Sequence, residues 1–180
     1  MFVELNKQVG IKSGKSVVVR SIRSDDGELL GTFFASIPKQ DQYYFYPHKL
    51  DIANGFRVVA EMASDRSIRI IATIGDDKEE QIVGYSFIQD KGADIPFGFG
   101  ICIDNRFQSE GIGKVILHEL LKQAGDHEIK FVTLTVHQEN RKALELYRNV
   151  GFKITGDFIN KTQGSKAYSM KLKIDQEERP

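Results

Sequence analysis

The sequence predicts an α/β domain of the mixed α+β kind, in which helices cover the faces of a mixed sheet. Three observations predict it. Short β-branched runs such as Ser16–Ile22, Ser67–Ile74 and Phe131–Val136 read as strands. Two stretches, Gly111–Gly125 and the residues after Asn140, carry apolar side chains at helical spacing. The two kinds follow in the order β-α-α-β-β-β-α-β-α-β-β, without an internal repeat, a low-complexity linker or a domain break. The 180 residues therefore read as one domain, with a core of about 16–174, an N-terminal extension 1–15 and a tail 175–180.

Each element has its own signal. Ser16–Ile22 is β-branched and follows a Gly-Lys turn. Ser24 precedes Asp25 and Asp26, an N-cap followed by acids that suit the positive end of a helix dipole. Leu29, Leu30, Phe33 and Phe34 form the apolar stripe of that helix, and Pro38 lies beyond its end. Tyr43-Tyr44-Phe45-Tyr46-Pro47-His48 is aromatic and irregular, and a second helix covers Ile52–Ala63 despite Gly55. Ser67–Ile74 and Ile82–Ile88 form a hairpin across the polar stretch Gly75–Gln81. Phe97–Ile103 is a strand containing two glycines, a pattern that marks a bulge or the close approach of a ligand. A long helix runs from Gly111 until Gly125 closes it, then come the Phe131–Val136 strand and a helix from Asn140. Phe152–Ile159 and Lys166–Ile174 close the chain as strands around a Lys161-Thr162-Gln163-Gly164 turn, and Gln176–Pro180 reads as a frayed tail.

Composition excludes several classes. Lys+Arg and Asp+Glu both number 25, so no net field draws the chain to nucleic acid or an anionic membrane. At 41% hydrophobic and 28% charged the chain is neither disordered nor collagen-like. Cys102 is the single cysteine, which rules out an internal disulfide and fits a reducing cytoplasm. The first residues lack a basic run followed by an apolar stretch, and no window is apolar enough to span a membrane. His48, His118, His127 and His137 are scattered without an HExxH pair, so no metal site is expected.

The segment richest in chemistry is Ile101-Cys102-Ile103-Asp104-Asn105-Arg106-Phe107-Gln108-Ser109-Glu110-Gly111-Ile112-Gly113-Lys114. Here a strand ends and two glycines stand where a helix begins, an arrangement that suits an anion held by backbone N–H groups. Glycine removes the Cβ from the ligand's path, and Lys114 adds a formal charge in the first turn. An ordinary strand-to-helix turn is the competing reading of the glycines alone. Walker A fails because Val115 follows Lys114, and the dinucleotide fingerprint fails because Ile116 stands at its third glycine.

Gln108-x-x-Gly111-x-Gly113, followed by Asn140-x-x-Ala143-x-x-Leu146-Tyr147-x-x-x-Gly151-Phe152, resembles the two halves of the acetyl-CoA signature of the GNAT family of N-acetyltransferases. The resemblance covers about residues 67–174 and extends to the opening at Ser16–Asp26. It implies a central, largely antiparallel mixed sheet and transfer of an acetyl group from acetyl-CoA to an amine by direct attack on the thioester. It places the pyrophosphate on the amides of Ser109, Glu110, Gly111, Ile112, Gly113 and Lys114, with Gln108 in the same motif. The pantetheine arm pairs with Ile101, Cys102 and Ile103, where an N–H could also stabilise the thioester oxygen. Asn140 contacts the cofactor arm as well as capping its helix, and Tyr147 is the general acid facing the sulfur.

The resemblance leaves the base unassigned, because Thr135 stands where some members carry a glutamate. His137 and Glu139 lie at the end of that strand, Glu61, Tyr85 and Asp104 are further candidates, and a water chain could replace a dedicated base. Cys102 lies between Ile101 and Ile103 and reads as a buried apolar residue rather than a nucleophile. The Tyr43–Tyr46 run is core or acceptor-pocket wall. Two rival readings are a non-catalytic CoA-binding sensor or interaction module of the same fold, and a phosphate- or nucleic-acid-binding protein unrelated to CoA. The acceptor, a small-molecule or peptide amine, is unspecified, and an edge strand near the C-terminus could pair with another chain in a homodimer.

Overall fold

The structure is a computed structural model that describes residues 5–45, 47–62, 66–75, 79–92, 95–160 and 164–174. Tyr46, Ala63, part of the Gly75–Gln81 turn, Lys161-Thr162-Gln163 and the expected tail lie outside the described residues. The strands are β1 (Asn6–Gly10), β2 (Ser16–Ser21), β3 (Ile68–Ile74), β4 (Gln81–Gln89), β5 (Phe97–Ile103), β6 (Phe131–His137), β7 (Lys153–Asn160) and β8 (Ser165–Lys173). The helices are α1 (Gly27–Ser36), the short α2 (Lys39–Gln42), α3 (Ile52–Glu61), α4 (Ile112–Asp126) and α5 (Arg141–Val150). The strands form one sheet in the order β1-β2-β3-β4-β5-β6-β8-β7, and only β5–β6 is parallel among its pairs.

Strand alternation divides the core between the two faces. Ile70 and Ala72 of β3 join Val17, Val19, Ile112, Ile116, Leu120, Leu144 and Tyr147 on the α4/α5 face. Ile71 of the same strand joins Leu30, Phe33, Phe34, Val58, Tyr85 and Phe87 on the α1/α3 face. This is the period of two in a sheet covered on both sides, and it explains why Ile70, Ile71 and Ala72 of β3 follow one another without a polar residue between them.

Three local expectations are corrected. The cap residue of α1 is Asp26, not Ser24, and its carboxylate makes no cap bond. That carboxylate instead takes Nη1 and Nη2 of the fully buried Arg20, each at 2.7 Å. Glu80 Oε1 and Oε2 accept from Nε and Nη2 at 3.0 Å and the Ser21 carbonyl accepts from Nη1, so all five guanidinium donors are used. A buried charge that outcompetes a helix cap is invisible to local pattern. Second, Gly125 lies inside α4, and the turn after it is made at Glu128, with φ of 58°. Third, the expected extension contains β1, which pairs with β2 from Asn6↔Arg20 to Gly10↔Ser16.

Gly55 in α3 has a packing reason. A Cβ there would stand 2.2 Å from the Gly31 nitrogen and 2.6 Å from the Gly27 carbonyl oxygen of α1. The two helices cross on three glycines, closer than any side chain allows.

Candidate active site

The site begins where two strands part. β5 and β6 pair only at Phe97↔Val132 and Gly98↔Thr133, and from Phe99 to Ile103 the β6-facing edge of β5 has no strand partner. On its other edge β5 is held along Gly98–Ile103 by β4. Parallel strands that diverge while one stays anchored leave a slot lined by backbone polar groups. The Ile101–Ile103 stretch expected from sequence lies in this slot. Ile101 and Ile103 face the α4/α5 core and Cys102 faces the α1/α3 core, as alternation requires.

The loop after β5 is built to be rigid. Asp104 is buried and accepts from the Arg106 backbone N–H at 2.9 Å and from its Nη2 at 2.6 Å. Burial pulls the Asp104 carboxyl upward, but the Arg106 hydrogen bonds prevail and hold it below the usual carboxylate value. A 3₁₀ turn follows at Asn105–Phe107, and Gln108 Nε2 reaches back to the Ile103 carbonyl at 3.4 Å. Ser109 and Gly111 are left-handed, with φ of 66° and 94°. From the other side the β1–β2 turn pins Glu110, whose carbonyl accepts from Lys12 N–H at 3.2 Å and whose carboxylate accepts from Ser13 N–H at 2.7 Å.

Among the described residues, the N–H groups of Ser109, Glu110, Gly111, Ile112 and Gly113 find no hydrogen-bond partner. The Lys114 N–H is bonded to the Gly111 carbonyl at 3.1 Å, so it is less available than sequence suggested. The Ile112 side chain is buried in the core and leaves only its backbone to the loop. A Cβ on Gly113 would lie 3.6 Å from Leu146, 3.8 Å from Ile101 and 3.8 Å from Ile103, so the loop, α5 and β5 meet there. Consecutive free N–H groups at the N-terminus of a fifteen-residue helix fit a pyrophosphate.

Tyr147 on α5 is 7% exposed. Its ring stands edge-on to Phe99, the first residue of β5 without a β6 partner, at 5.7 Å, and against Phe152 at 5.7 Å. Burial, and then the neighbouring Cys102 thiol, push its phenol above the ordinary tyrosine value. Asn140 caps α5, accepting from Ala143 N–H at 3.2 Å, so its carbonyl oxygen is already used. Burial pushes the Cys102 thiol up to about 12, with help from Asp41 and Asp104, which leaves almost no thiolate at neutral pH.

The base candidates fare differently. His137 is buried at the end of β6 under Tyr43 and Tyr44, at 4.6 and 5.3 Å. Thr135 and Glu139 are exposed, Tyr85 is core, Glu61 pairs with Arg57 and Arg69, and Asp104 is committed to Arg106. Sequence reasoning passed over His48, whose ring lies among Phe34, Phe45, Tyr85 and Phe87. The signal was present in the aromatic run that ends Pro47-His48. Among the described residues no group of His, Cys, Asp and Glu could hold a metal ion, and no helix is long and apolar enough to cross a membrane.

Residues 57–174 match a family model described as an acetyltransferase (GNAT) domain. The chain belongs to the GNAT family. Over 95 residues it is 37% identical to the N-alpha-acetyltransferase RimI of Mycobacterium tuberculosis, covering 50% of this chain and 58% of that one. The chain matches four curated relatives over only 23% to 58% of their own lengths. The fold is that of a GNAT acetyltransferase from Streptococcus pneumoniae, with TM-score 0.72, 23% identity and coverage of 88% of this chain and 99% of that one. It is also that of yncA from Salmonella typhimurium, solved with its cofactor acetyl-CoA, with TM-score 0.70, 13% identity and coverage of 91% and 97%. The family and the flanked mixed sheet expected from sequence are borne out.

Proposed function

We propose that the protein transfers the acetyl group of acetyl-CoA to an amine. The observation that carries this reading is the junction of three features: the unpaired edge of β5, the free N–H groups of Ser109–Gly113, and the buried Tyr147. The loop amides would hold the pyrophosphate, with Gln108 tying the loop to the strand and Lys114 adding charge. Phe99–Ile103 would orient the pantetheine arm, with Cys102 serving as backbone. Asn140 keeps α5 in register and its carboxamide N–H free for the arm. Acetyl-CoA supplies an acyl group activated as a thioester. Tyr147 holds a proton that it would give to the departing sulfur, and burial keeps that proton in place at neutral pH.

The acceptor is an amine of a small molecule or peptide. RimI is an N-alpha-acetyltransferase by name, which puts peptide N-termini among the acceptors to try first. The reading places the reaction in the cytoplasm, where the lone Cys102 stays reduced. It also allows a homodimer through the edge strand β7, which exposes Ile154, Phe158 and Ile159.

The test is CoA release with acetyl-CoA and three acceptors: a peptide with a free N-terminal alanine, L-phenylalanine amide and spermidine. Turnover with at least one, together with a thermal shift by acetyl-CoA that ATP and NAD do not produce, is expected. Binding without turnover on a wider amine panel would reduce the protein to a CoA-binding module. Stabilisation by ATP or NAD but not by acetyl-CoA would favour an unrelated phosphate site.

A further inference from the structure

His48 has one nitrogen that is accounted for and one that is not. Nδ1 lies 2.9 Å from the Lys49 carbonyl oxygen. A carbonyl only accepts, so Nδ1 carries the proton and Nε2 of the neutral ring presents a bare lone pair. That Nε2 is buried and makes no hydrogen bond among the described residues. Buried polar atoms are nearly always paired, so an orphan lone pair calls for a partner that arrives from outside.

The surroundings keep the ring neutral. Phe34 and Phe45 stand 5.1 Å away, Tyr85 6.0 Å and Phe87 6.3 Å. Burial lowers the His48 value below the ordinary imidazole range, and the Lys49 carbonyl bond opposes it. Arg57 of α3 and Arg69 of β3 disfavour a second positive charge, while Glu61 of α3 favours it.

The loop that carries the ring also reaches β5. Tyr85 and Phe87 are the β4 partners of Cys102 and Gly100. The Cγ of Pro47 lies 3.1 Å from where a Cβ on Gly100 would stand. The loop bearing His48 therefore covers β5 within the stretch that β6 leaves bare, on the α1/α3 face. Tyr147 approaches the same stretch from the α4/α5 face, against Phe99.

We propose that His48 is the general base, its Nε2 taking the proton of the attacking amine on the face of β5 opposite Tyr147. The assignment rests on the acetyl-transfer reading. In the step it serves, the amine nitrogen bonds to the acetyl carbon and the carbon–sulfur bond breaks. The amine proton goes to Nε2, and the sulfur takes the phenolic proton of Tyr147. Solvent then returns both residues to their starting protonation.

The test uses whichever of the three acceptors turns over fastest. His48→Phe keeps an aromatic ring in the cage and removes the lone pair, so kcat should fall by about 10²-fold or more. The thermal shift by acetyl-CoA should be unchanged, and free imidazole should restore part of the rate of His48→Ala. Wild-type kcat/KM should fall on acidification through a limb below the ordinary imidazole value, and His48→Phe should lose that limb. A folded His48→Phe enzyme with kcat within about threefold of wild type, or with the limb intact, overturns the proposal. Should the variants not fold, nitrogen NMR of the wild-type imidazoles decides, because His48 must titrate at the pH of the limb and a mismatch overturns the assignment. Wild-type turnover with an indifferent His48→Phe sinks the base alone, whereas a wild type that binds acetyl-CoA and acetylates nothing sinks the transferase reading and the base with it.

Discussion

Gly98 of β5 stands opposite Thr133 of β6 in the last rung that joins the two strands, and Thr133 Oγ1 donates to the Phe97 carbonyl at 3.3 Å. Beyond that rung β5 has a strand partner only on its β4 side. Tyr147 on one face and His48 on the other both lie near the stretch so exposed.

Tyr147 is predicted to act through its proton rather than its bulk. Its value is raised, so the acid form persists through neutral pH and is lost only above the ordinary tyrosine value of about 10. Tyr147→Phe keeps the contacts with Phe99 and Phe152 and should lower kcat by about 10²-fold with little change in KM for acetyl-CoA. Steady-state kinetics check this, and an unaffected kcat would remove the residue from the chemistry.

The two loop glycines should separate stability from binding. Gly111 is left-handed, so Gly111→Ala should cost about 1–2 kcal/mol of stability as well as affinity. Gly113 is helical and a Cβ there meets only ordinary contacts, so Gly113→Ala should hold or raise Tm. The added methyl would nevertheless crowd the phosphate, and the Kd for acetyl-CoA should rise by about tenfold, about 1.4 kcal/mol. Calorimetric titration beside thermal denaturation reads both effects.

Cys102 should be chemically silent. With its thiol near 12, alkylation by iodoacetamide at pH 7.5 should be slow in the native protein and fast after denaturation. Cys102→Ser should retain most of the activity, because on the proposed route the amine attacks the thioester directly. Acetyl groups trapped on Cys102 in a quenched reaction would contradict that route.

The Arg20–Asp26–Glu80 cluster predicts an acid-sensitive fold. Hydrogen bonding to Arg20 holds Glu80 below its ordinary value, so its contribution is fully present above that value and is lost as pH falls from there through the lowered one. Asp26→Ala leaves Arg20 short of a buried partner and should cost about 3–5 kcal/mol. Urea denaturation at pH 7 and pH 4 should show a smaller pH dependence in Glu80→Gln than in wild type.

The helix crossing predicts intolerance of a single methyl. In Gly55→Ala the new atom meets backbone of α1, which cannot rotate aside, so a loss of about 1–3 kcal/mol or more is expected. Because α1 carries Phe34 and the connection between α1 and α3 carries His48, acetyl transfer should fall further than binding of acetyl-CoA. Urea midpoints and the acceptor assay would check both parts.

Much of this protein was legible in its residues because the signals are local. Strand alternation, the apolar spacing of α4 and α5, the Asn140 cap and the glycine pair at Gly111 and Gly113 all act within a few residues of themselves. The motif therefore pointed to the loop and Tyr147 from the residues alone. What tertiary structure decided was every property set by distant partners. Asp26 looked like part of a helix start and became the counter-ion of Arg20 on β2. Gly55 looked like a defect and became the contact point of two helices. His137 looked available and lies under two tyrosines, whereas His48, unremarked in its aromatic run, keeps a bare nitrogen beside Phe34, Tyr85 and Phe87. Charge pairing, burial and lone-pair availability depend on which residues meet through space, and residues far apart in the chain meet only once the sheet has formed.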